Sequence, residues 1–238
     1  MSFARAAFFS GIRRSLHKGS LSTQQVDNYL TILGDCEKYP LPAPATAYVL
    51  ATVYHETART ITPLKEYGRG KGRTYGKPAG PYNQIYYGRG FVQLTWLSNY
   101  EKQTKKFGVN FVKFPDRVME PEFASKILVG GMVYGDFTGK KLSDYFGKGK
   151  KDYEGARRII NGTDKKREIA SIARKFEAAL TQRKEETSSG RWGAGAGAAG
   201  TAGTAVVVSQ NPEYWPVVLG VVLIAAVIGF VVWKKKKK

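Results

Sequence analysis

The stretch YYGRGFVQLTWLSNY, residues 86–100, says more about fold and function than any other part of the chain. It combines aromatic rings that can stack on pyranose faces with polar side chains that can hydrogen-bond sugar hydroxyls and amides. The candidate sugar-binding residues are Tyr87, Arg89, Gln93, Thr95 and Asn99. The alternation of Phe91, Gln93 and Thr95 predicts a strand with these side chains on one face, and a plain core strand would show the same alternation.

Glu56, in the sequence YHET, precedes this stretch by about thirty residues. A helix is predicted over residues 47–59, after prolines at positions 40, 42 and 44. On that helix Val49, Val53 and Glu56 share one stripe, which begins apolar and ends in the carboxyl group. Such a setting disfavours the charged form and suits a general acid. A surface glutamate paired with Arg59 explains the sequence equally well.

A second carboxylate, Glu66, lies in the loop PLKEYGRGKGRTYG, residues 63–76. An inverting glycosidase needs a second carboxylate about 6.5–9.5 Å from the acid, where it activates a water. The neighbouring cations Lys65, Arg69 and Lys71 favour the ionised form that a base requires. Gly68, Gly70 and Gly72 would let this loop close over a substrate. The alternative is an ordinary charged surface loop.

The sequence contains no recognisable motif for binding a metal or a cofactor. His55 and Glu56 begin the zinc-protease pattern HExxH, but position 59 is Arg. The segment GRGKG lacks the spacing of a phosphate-binding loop. The single cysteine, Cys36, allows neither an intrachain disulfide nor a cysteine-based metal site. No metal and no cofactor is therefore predicted.

Hydrophobic periodicity predicts a mainly α-helical domain over residues 1–187. The first helix carries Phe8, Phe9, Ile12 and Leu16 at helical spacing, and the second opens at Ser22 with a capping box. Further helices are predicted over residues 122–134 and about 164–184. Residues 60–87 are rich in Gly and Pro, so this segment is predicted to be a loop that could hold a short hairpin.

The chain is strongly basic, with 38 Lys and Arg against 19 Asp and Glu and a net charge of +19. Without the five lysines at positions 234–238 the charge is still about +14. Such charge favours an anionic cell wall, anionic lipid or nucleic acid. No DNA- or RNA-reading motif accompanies it, so nucleic acid is the weaker interpretation. The other interpretation of the positive charge is a solvated basic surface that binds no ligand.

The composition changes after residue 187. Residues 188–213 form a Gly/Ala-rich segment typical of a flexible linker. Residues 214–233 are predicted to be a transmembrane helix, because the 19 residues from Trp215 to Trp233 carry no charge and are long enough to cross a bilayer. The tail from Lys234 to Lys238 is expected to contact anionic lipid or nucleic acid. The predicted localisation is a membrane, crossed once.

Several blocks of the sequence together resemble glycoside hydrolase family 19, the chitinase and phage-endolysin family, over about residues 3–181. The resemblance is strongest to the short bacteriophage lysozyme branch. It rests on FFSGIRRSL, LSTQQVD, YHETA, KEYGRGKGRTYG, YYGRGFVQLTWLSNYEK, FTGKKLSDYF and GARRIINGTD. It implies a mainly α, α+β lysozyme-like bilobal domain with a small β-hairpin region. It also implies hydrolysis, with inversion, of β-1,4 bonds between N-acetylhexosamines.

The same resemblance implies roles for individual residues. The glutamate of the HET motif, the general acid of the family, falls on Glu56. The second acidic residue falls on Glu66 at the interval of the short phage branch, whereas plant chitinases have a longer interval. A hydroxyl that helps to position the water falls on Thr95. The residues expected to bind sugar amides or hydroxyls are Gln93, Asn99 and, in the IING motif, Asn161.

The sequence therefore predicts a membrane-anchored endolysin or virion-associated lysozyme that cleaves the glycan strands of peptidoglycan. Its membrane would be that of a phage virion or the inner membrane of the host. One alternative keeps the chemistry and changes the substrate to chitin, although the sequence shows no aromatic-rich chitin-binding module. The other alternative is a viral membrane structural or DNA-packaging protein that kept a degenerate lysozyme fold.

Overall fold

The computed structural model describes residues 4–182, and this part of the chain is mainly α-helical with two small antiparallel sheets. Its helices are α1 (Arg5–Leu16), α2 (Thr23–Glu37), α3 (Ala43–Glu56), α4 (Leu97–Phe107), α5 (Pro121–Tyr134) and α6 (Lys166–Thr181). Its strands are β1 (Leu64–Lys65), β2 (Arg89–Gly90), β3 (Phe146–Gly147) and β4 (Lys150–Lys151). The predicted linker (188–213), transmembrane helix (214–233) and poly-Lys tail (234–238) lie outside the described residues. Within residues 4–182, no helix has the length and apolar character needed to cross a membrane.

Helix α3 is the centre of the core. Every residue from Ala45 to Tyr54 is buried, which is typical of a helix that is apolar on all sides. Helices α2, α5 and α6 pack against it. The last residue of α3 is Glu56, so this carboxyl is attached to the most enclosed element of the domain.

Local sequence signals located most of the helices. The predicted capping box at Ser22 is confirmed: its hydroxyl accepts a hydrogen bond from the Gln25 backbone N–H (3.2 Å), and its own N–H donates to the Gln25 side chain (2.9 Å). Helix α5 begins at Pro121, in the first turn where the missing N–H costs nothing. Helix α1 buries Phe8, Phe9 and Ile12, as their spacing predicts.

The bounds of α3 differ from the prediction. The helix begins four residues earlier, at Ala43, because proline is accepted in the first turn. It ends at Glu56 rather than at residue 59, because Ala58 and Arg59 adopt left-handed backbone conformations (φ 48° and 73°). Ile61 does the same (φ 55°), which is unusual for a β-branched residue.

Buried hydrogen bonds hold this strained turn in place. The Asn28 amide donates to the Ile61 carbonyl at 2.7 Å, and the Ile61 N–H donates to the Thr57 hydroxyl at 3.0 Å. All three residues are buried. Gln25 also donates to the Arg59 carbonyl at 3.2 Å. Such backbone strain persists only where the surroundings fix it, and it clusters at functional sites. The segment between Glu56 and β1 therefore has a fixed path.

The predicted strand through Phe91, Gln93 and Thr95 is wrong. Strand β2 contains only Arg89 and Gly90, which pair with β1 in the register Leu64 to Gly90 and Lys65 to Arg89. The chain then reverses, with Gln93 in a left-handed conformation (φ 53°) and mutual backbone hydrogen bonds between Arg89 and Leu94. Helix α4, which the periodicity did not predict, follows at once.

Candidate active site

The Glu56 carboxylate is paired with a buried cation. Arg157, on a short 3-10 helix (Gly155–Ile159), donates from Nη1 to Glu56 Oε1 at 2.7 Å. The Arg157 side chain is 5% exposed and that of Glu56 is 18% exposed. The setting is therefore not the apolar one that the stripe on α3 predicted. Arg59, the partner expected for a plain surface glutamate, instead lies 6.0 Å from the centre of the Tyr54 ring.

This ion pair uses only one carboxylate oxygen. No residue of the described chain donates a hydrogen bond to Glu56 Oε2. Arg157 is fixed in turn, because its Nε donates to the Asp164 carbonyl at 3.1 Å. The arrangement leaves one oxygen of Glu56 free to carry and deliver a proton.

The Glu66 carboxylate is held at both oxygens. The Tyr75 hydroxyl donates to Oε1 at 2.9 Å, and the Gly88 N–H donates to Oε2 at 3.1 Å. The Glu66 N–H also donates to the Gly88 carbonyl at 2.8 Å, so Glu66 continues the pairing of β1 with β2. A Cβ at position 88 would lie 2.8 Å from Gln93 Oε1, so a larger residue there would displace the Gln93 side chain. Both carboxylate oxygens of Glu66 are therefore fixed in position.

Glycines let two parts of the loop around Glu66 pack against each other, which fixes the loop rather than making it flexible. A Cβ on Gly76 would lie 1.7 Å from the Gly70 carbonyl oxygen, so the two backbones touch. Tyr75 lies beside this contact, and its ring packs edge-on against Trp96 with centroids 5.4 Å apart. Sequence reasoning missed Tyr75, because nothing in the spacing indicates which tyrosine reaches the carboxylate.

The QLT block lies next to Glu66, but its donor groups bind backbone. Gln93 Nε2 donates to the Leu64 carbonyl on β1 at 3.0 Å. The Thr95 hydroxyl donates to the Gln93 carbonyl, and Asn99 Nδ2 donates to the Thr95 carbonyl, both at 2.7 Å. All three side chains are half-buried. Their acceptor oxygens could still meet water or sugar, so their roles stay predictions.

Arg89 and Tyr87 lie inside the domain, at odds with their predicted role in substrate binding. They are 4% and 7% exposed, and the Arg89 guanidinium lies 3.5 Å from the centre of the Tyr87 ring. Arg89 donates to Asp116 at 2.7 Å and to the Tyr100 hydroxyl at 3.2 Å. With its donors used internally, Arg89 braces β2 and has little left to offer a sugar.

Asp116 joins the two strands that carry the site. It accepts from Arg89 on β2 and from Lys65 on β1, both at 2.7 Å. Partial burial acts to raise the pKa of Asp116, but the hydrogen bonds from Lys65 and Arg89 outweigh it and the pKa is lowered. Asp116 is thus held as a carboxylate that fixes Lys65, the residue before Glu66.

Asn161 is bound through its backbone to Arg157, the residue that pairs with Glu56. It lies two residues after the end of the 3-10 helix of Arg157, and its N–H donates to the Arg157 carbonyl at 3.0 Å. Its side chain is exposed and accepts from the Gly162 N–H at 2.8 Å. The segment IING is thereby tied to the residue that holds Glu56. Among residues 4–182, no cluster of three or more His, Cys, Asp or Glu side chains could hold a metal ion.

Solved structures share this fold. Chitinase C from Streptomyces griseus HUT6037 is 20% identical, and the alignment covers 75% of this chain and 76% of that one with a TM-score of 0.51. A bacterial family 19 chitinase is 21% identical, with 76% and 96% covered and a TM-score of 0.53. No protein-family model and no curated protein matches the sequence significantly. The domain therefore has the fold of the family 19 chitinases, as the resemblance implied.

Proposed function

We propose that the domain is an inverting glycoside hydrolase acting on β-1,4 bonds between N-acetylhexosamines. The observation that carries the proposal is the unequal anchoring of two carboxylates on a family 19 chitinase fold. Glu56 is held at one oxygen by Arg157 and keeps the other free. Glu66 accepts a hydrogen bond at each of its oxygens, from Tyr75 and from the Gly88 N–H. An oxygen without a partner can deliver a proton to a leaving group, and a carboxylate fixed at both oxygens can orient a water.

In the proposed reaction, Glu56 Oε2 gives its proton to the glycosidic oxygen as the bond from that oxygen to C1 breaks. A water attacks C1 from the opposite face and passes a proton to Glu66, so the product has the inverted configuration. Because the Thr95 hydroxyl proton is donated to the Gln93 carbonyl, Thr95 Oγ1 can act only as an acceptor for that water. Gln93, Asn99 and Asn161 orient the sugar through their amide groups.

The proposed substrate is peptidoglycan, and the proposed setting is a membrane. The basic body of the chain suits an anionic wall. The uncharged segment from Trp215 to Trp233 would anchor the enzyme in a phage virion membrane or the host inner membrane, with Lys234 to Lys238 at anionic lipid. The chitinases that share the fold favour chitin as the second candidate substrate.

A turbidity assay on purified peptidoglycan, with mass analysis of the products, tests the activity. Clearing with release of glycan fragments whose new ends are α-anomers by NMR is the expected result. Faster cleavage of chitin oligomers than of peptidoglycan would identify chitin as the preferred substrate. No cleared band in a zymogram of residues 1–187 with either polymer would favour the non-enzymatic viral structural protein.

Tyr75→Phe is expected to lower kcat by roughly tenfold and to leave KM nearly unchanged. A hydrogen bond to a charged group contributes about 1.5–3 kcal/mol, and this change removes one from the proposed base while keeping the ring on Trp96. Tyr67→Phe is the matched control, because Tyr67 is on the same loop and fully exposed. Equal kcat values for the two variants, measured on soluble glycan fragments, would contradict the role of Tyr75.

A further inference from the structure

The part of the chain that directly follows Glu66 carries positive charge and no acidic residue. From Tyr67 to Tyr100 the sequence contains five basic residues and no Asp or Glu. One of the five, Arg89, is buried and bound to Asp116. The other four are exposed, and none of them forms an ion pair with a carboxylate of the described chain. These four, called the cationic rim below, are Arg69, Lys71, Arg73 and Lys77.

Elsewhere in the domain, several exposed cations do have acidic partners. Lys102 and Lys106 both bind Asp136, at 2.8 and 3.0 Å. Lys151 binds Glu177 at 3.0 Å. Four like charges within nine residues repel one another when no counter-charge is built in. The rim is therefore a place where an anion from outside the domain would be stabilised.

The rim is also a fixed structure. Turn hydrogen bonds join Arg69 N–H to the Glu66 carbonyl (3.0 Å), Lys71 N–H to the Gly68 carbonyl (2.8 Å) and Arg73 N–H to the Gly70 carbonyl (2.9 Å). The contact of Gly70 with Gly76 closes the loop. A fixed loop loses less conformational entropy on binding than a flexible one. The cations are thus carried at a set position relative to the Glu66 carboxylate.

We propose that the cationic rim binds carboxylates attached to the glycan strand and so selects an acid-bearing polymer, such as peptidoglycan with its peptide stems, over a neutral one. The inference rests on the proposed glycosidase function and names the chemistry by which that site chooses its substrate. Each exposed ion pair contributes little by itself. Four of them along one strand contribute together, and the sum is sensitive to salt.

The test compares two fourfold variants that lose the same charge. In the rim variant, Arg69, Lys71, Arg73 and Lys77 become Gln. In the control, four exposed cations on other elements, none with a carboxylate partner in the described chain, become Gln; they are Arg14, Lys105, Lys140 and Lys150. The substrates are peptidoglycan with free carboxylates, the same material after amidation of its carboxylates, and neutral N-acetylglucosamine oligomers.

The rim variant is expected to lose about tenfold or more in kcat/KM on free-carboxylate peptidoglycan at low salt, and to match wild type on the two neutral substrates. The control should stay within about twofold of wild type on all three. Equal losses in the rim variant and the control, or an equal loss of the rim variant on amidated material, would overturn the inference.

A binding arm separates this inference from the proposed function. Sedimentation with peptidoglycan sacculi, using Glu56→Gln protein, measures attachment without cleavage. Tighter binding to free-carboxylate than to amidated sacculi is expected, and the rim substitutions should remove that difference. A wild-type protein that cleaves no glycan refutes only the glycosidase proposal. Equal binding of protein with the unmodified cationic rim to both kinds of sacculi refutes the proposed carboxylate binding by the rim. This second result does not require a rim variant that folds.

Discussion

Glu56→Gln is expected to lower the rate of glycan cleavage by at least about 10²–10⁴-fold, the contribution of a general acid. The amide oxygen of Gln can still accept the hydrogen bond from Arg157 Nη1, so the geometry of the pair is kept. The amide has no acidic proton for the leaving oxygen. The rate is measured as kcat on soluble peptidoglycan fragments, at a temperature where circular dichroism shows the variant to be folded.

The matched control is Glu168→Gln. Glu168 is an exposed residue of α6 whose carboxylate lies 3.9 Å from His55 Nδ1, the residue next to Glu56. The Glu168→Gln variant loses the same charge near the same site, but Glu168 has no part in the proposed reaction. The kcat of this variant should therefore stay within about twofold of wild type. A folded Glu56→Gln protein with the activity of this control would remove Glu56 from the reaction.

Features set by neighbouring residues were predictable. The capping box at Ser22 and the apolar faces of α1 and α6 depend on residues within a few positions of one another. The short hairpin expected within residues 60–87 corresponds to a single antiparallel bridge between Ala79 and Gln84. The pairing of β1 with β2, which reaches beyond that segment, was not predicted, because strands of two residues leave almost no period to detect. Helix α4 was not predicted, although Leu97, Tyr100 and Phe107 recur at helical spacing.

Features set by distant residues were not predictable. Arg157 lies 101 positions after Glu56, and no local pattern connects them. The left-handed residues Ala58, Arg59 and Ile61 follow no Gly or Asn signal. That turn is held by Asn28, which donates to Ile61 from 33 positions away. Tertiary contacts here override the local preferences of the backbone.

Arg89 and Tyr87 are buried, although the sequence motif indicated a surface that binds sugar. An arginine beside aromatic residues in a sugar-binding motif has the same composition whether it faces a ligand or the core. Here the guanidinium is stacked on Tyr87 and bound to Asp116, which lies 27 positions further on. The specific motif of residues 86–100 therefore marks the scaffold that supports Glu66 as much as the surface that meets a substrate.

Arg157→Leu is expected to destabilise the domain by about 2–4 kcal/mol and to cut activity sharply. Removing one partner of a buried ion pair leaves the other charge uncompensated. The figure is at the low side of the range for buried pairs, because Glu56 is 18% exposed. For a domain of this size the loss corresponds to a fall in Tm of roughly 5–15 °C. Calorimetry gives the Tm, and soluble glycan fragments give kcat.

Arg158→Leu is the control, since Arg158 is the next residue, is exposed, and has no carboxylate partner within residues 4–182. Its Tm should stay close to that of wild type. The double variant Glu56→Gln with Arg157→Leu separates charge from packing. If the cost of Arg157→Leu comes from the stranded carboxylate, removing that charge restores part of the Tm, with a coupling of about 0.5–3 kcal/mol. If the stability costs of the two changes simply add, Arg157 stabilises the domain by packing and by its bond to the Asp164 carbonyl. That result would contradict the proposed role of Arg157 in fixing Glu56 Oε1.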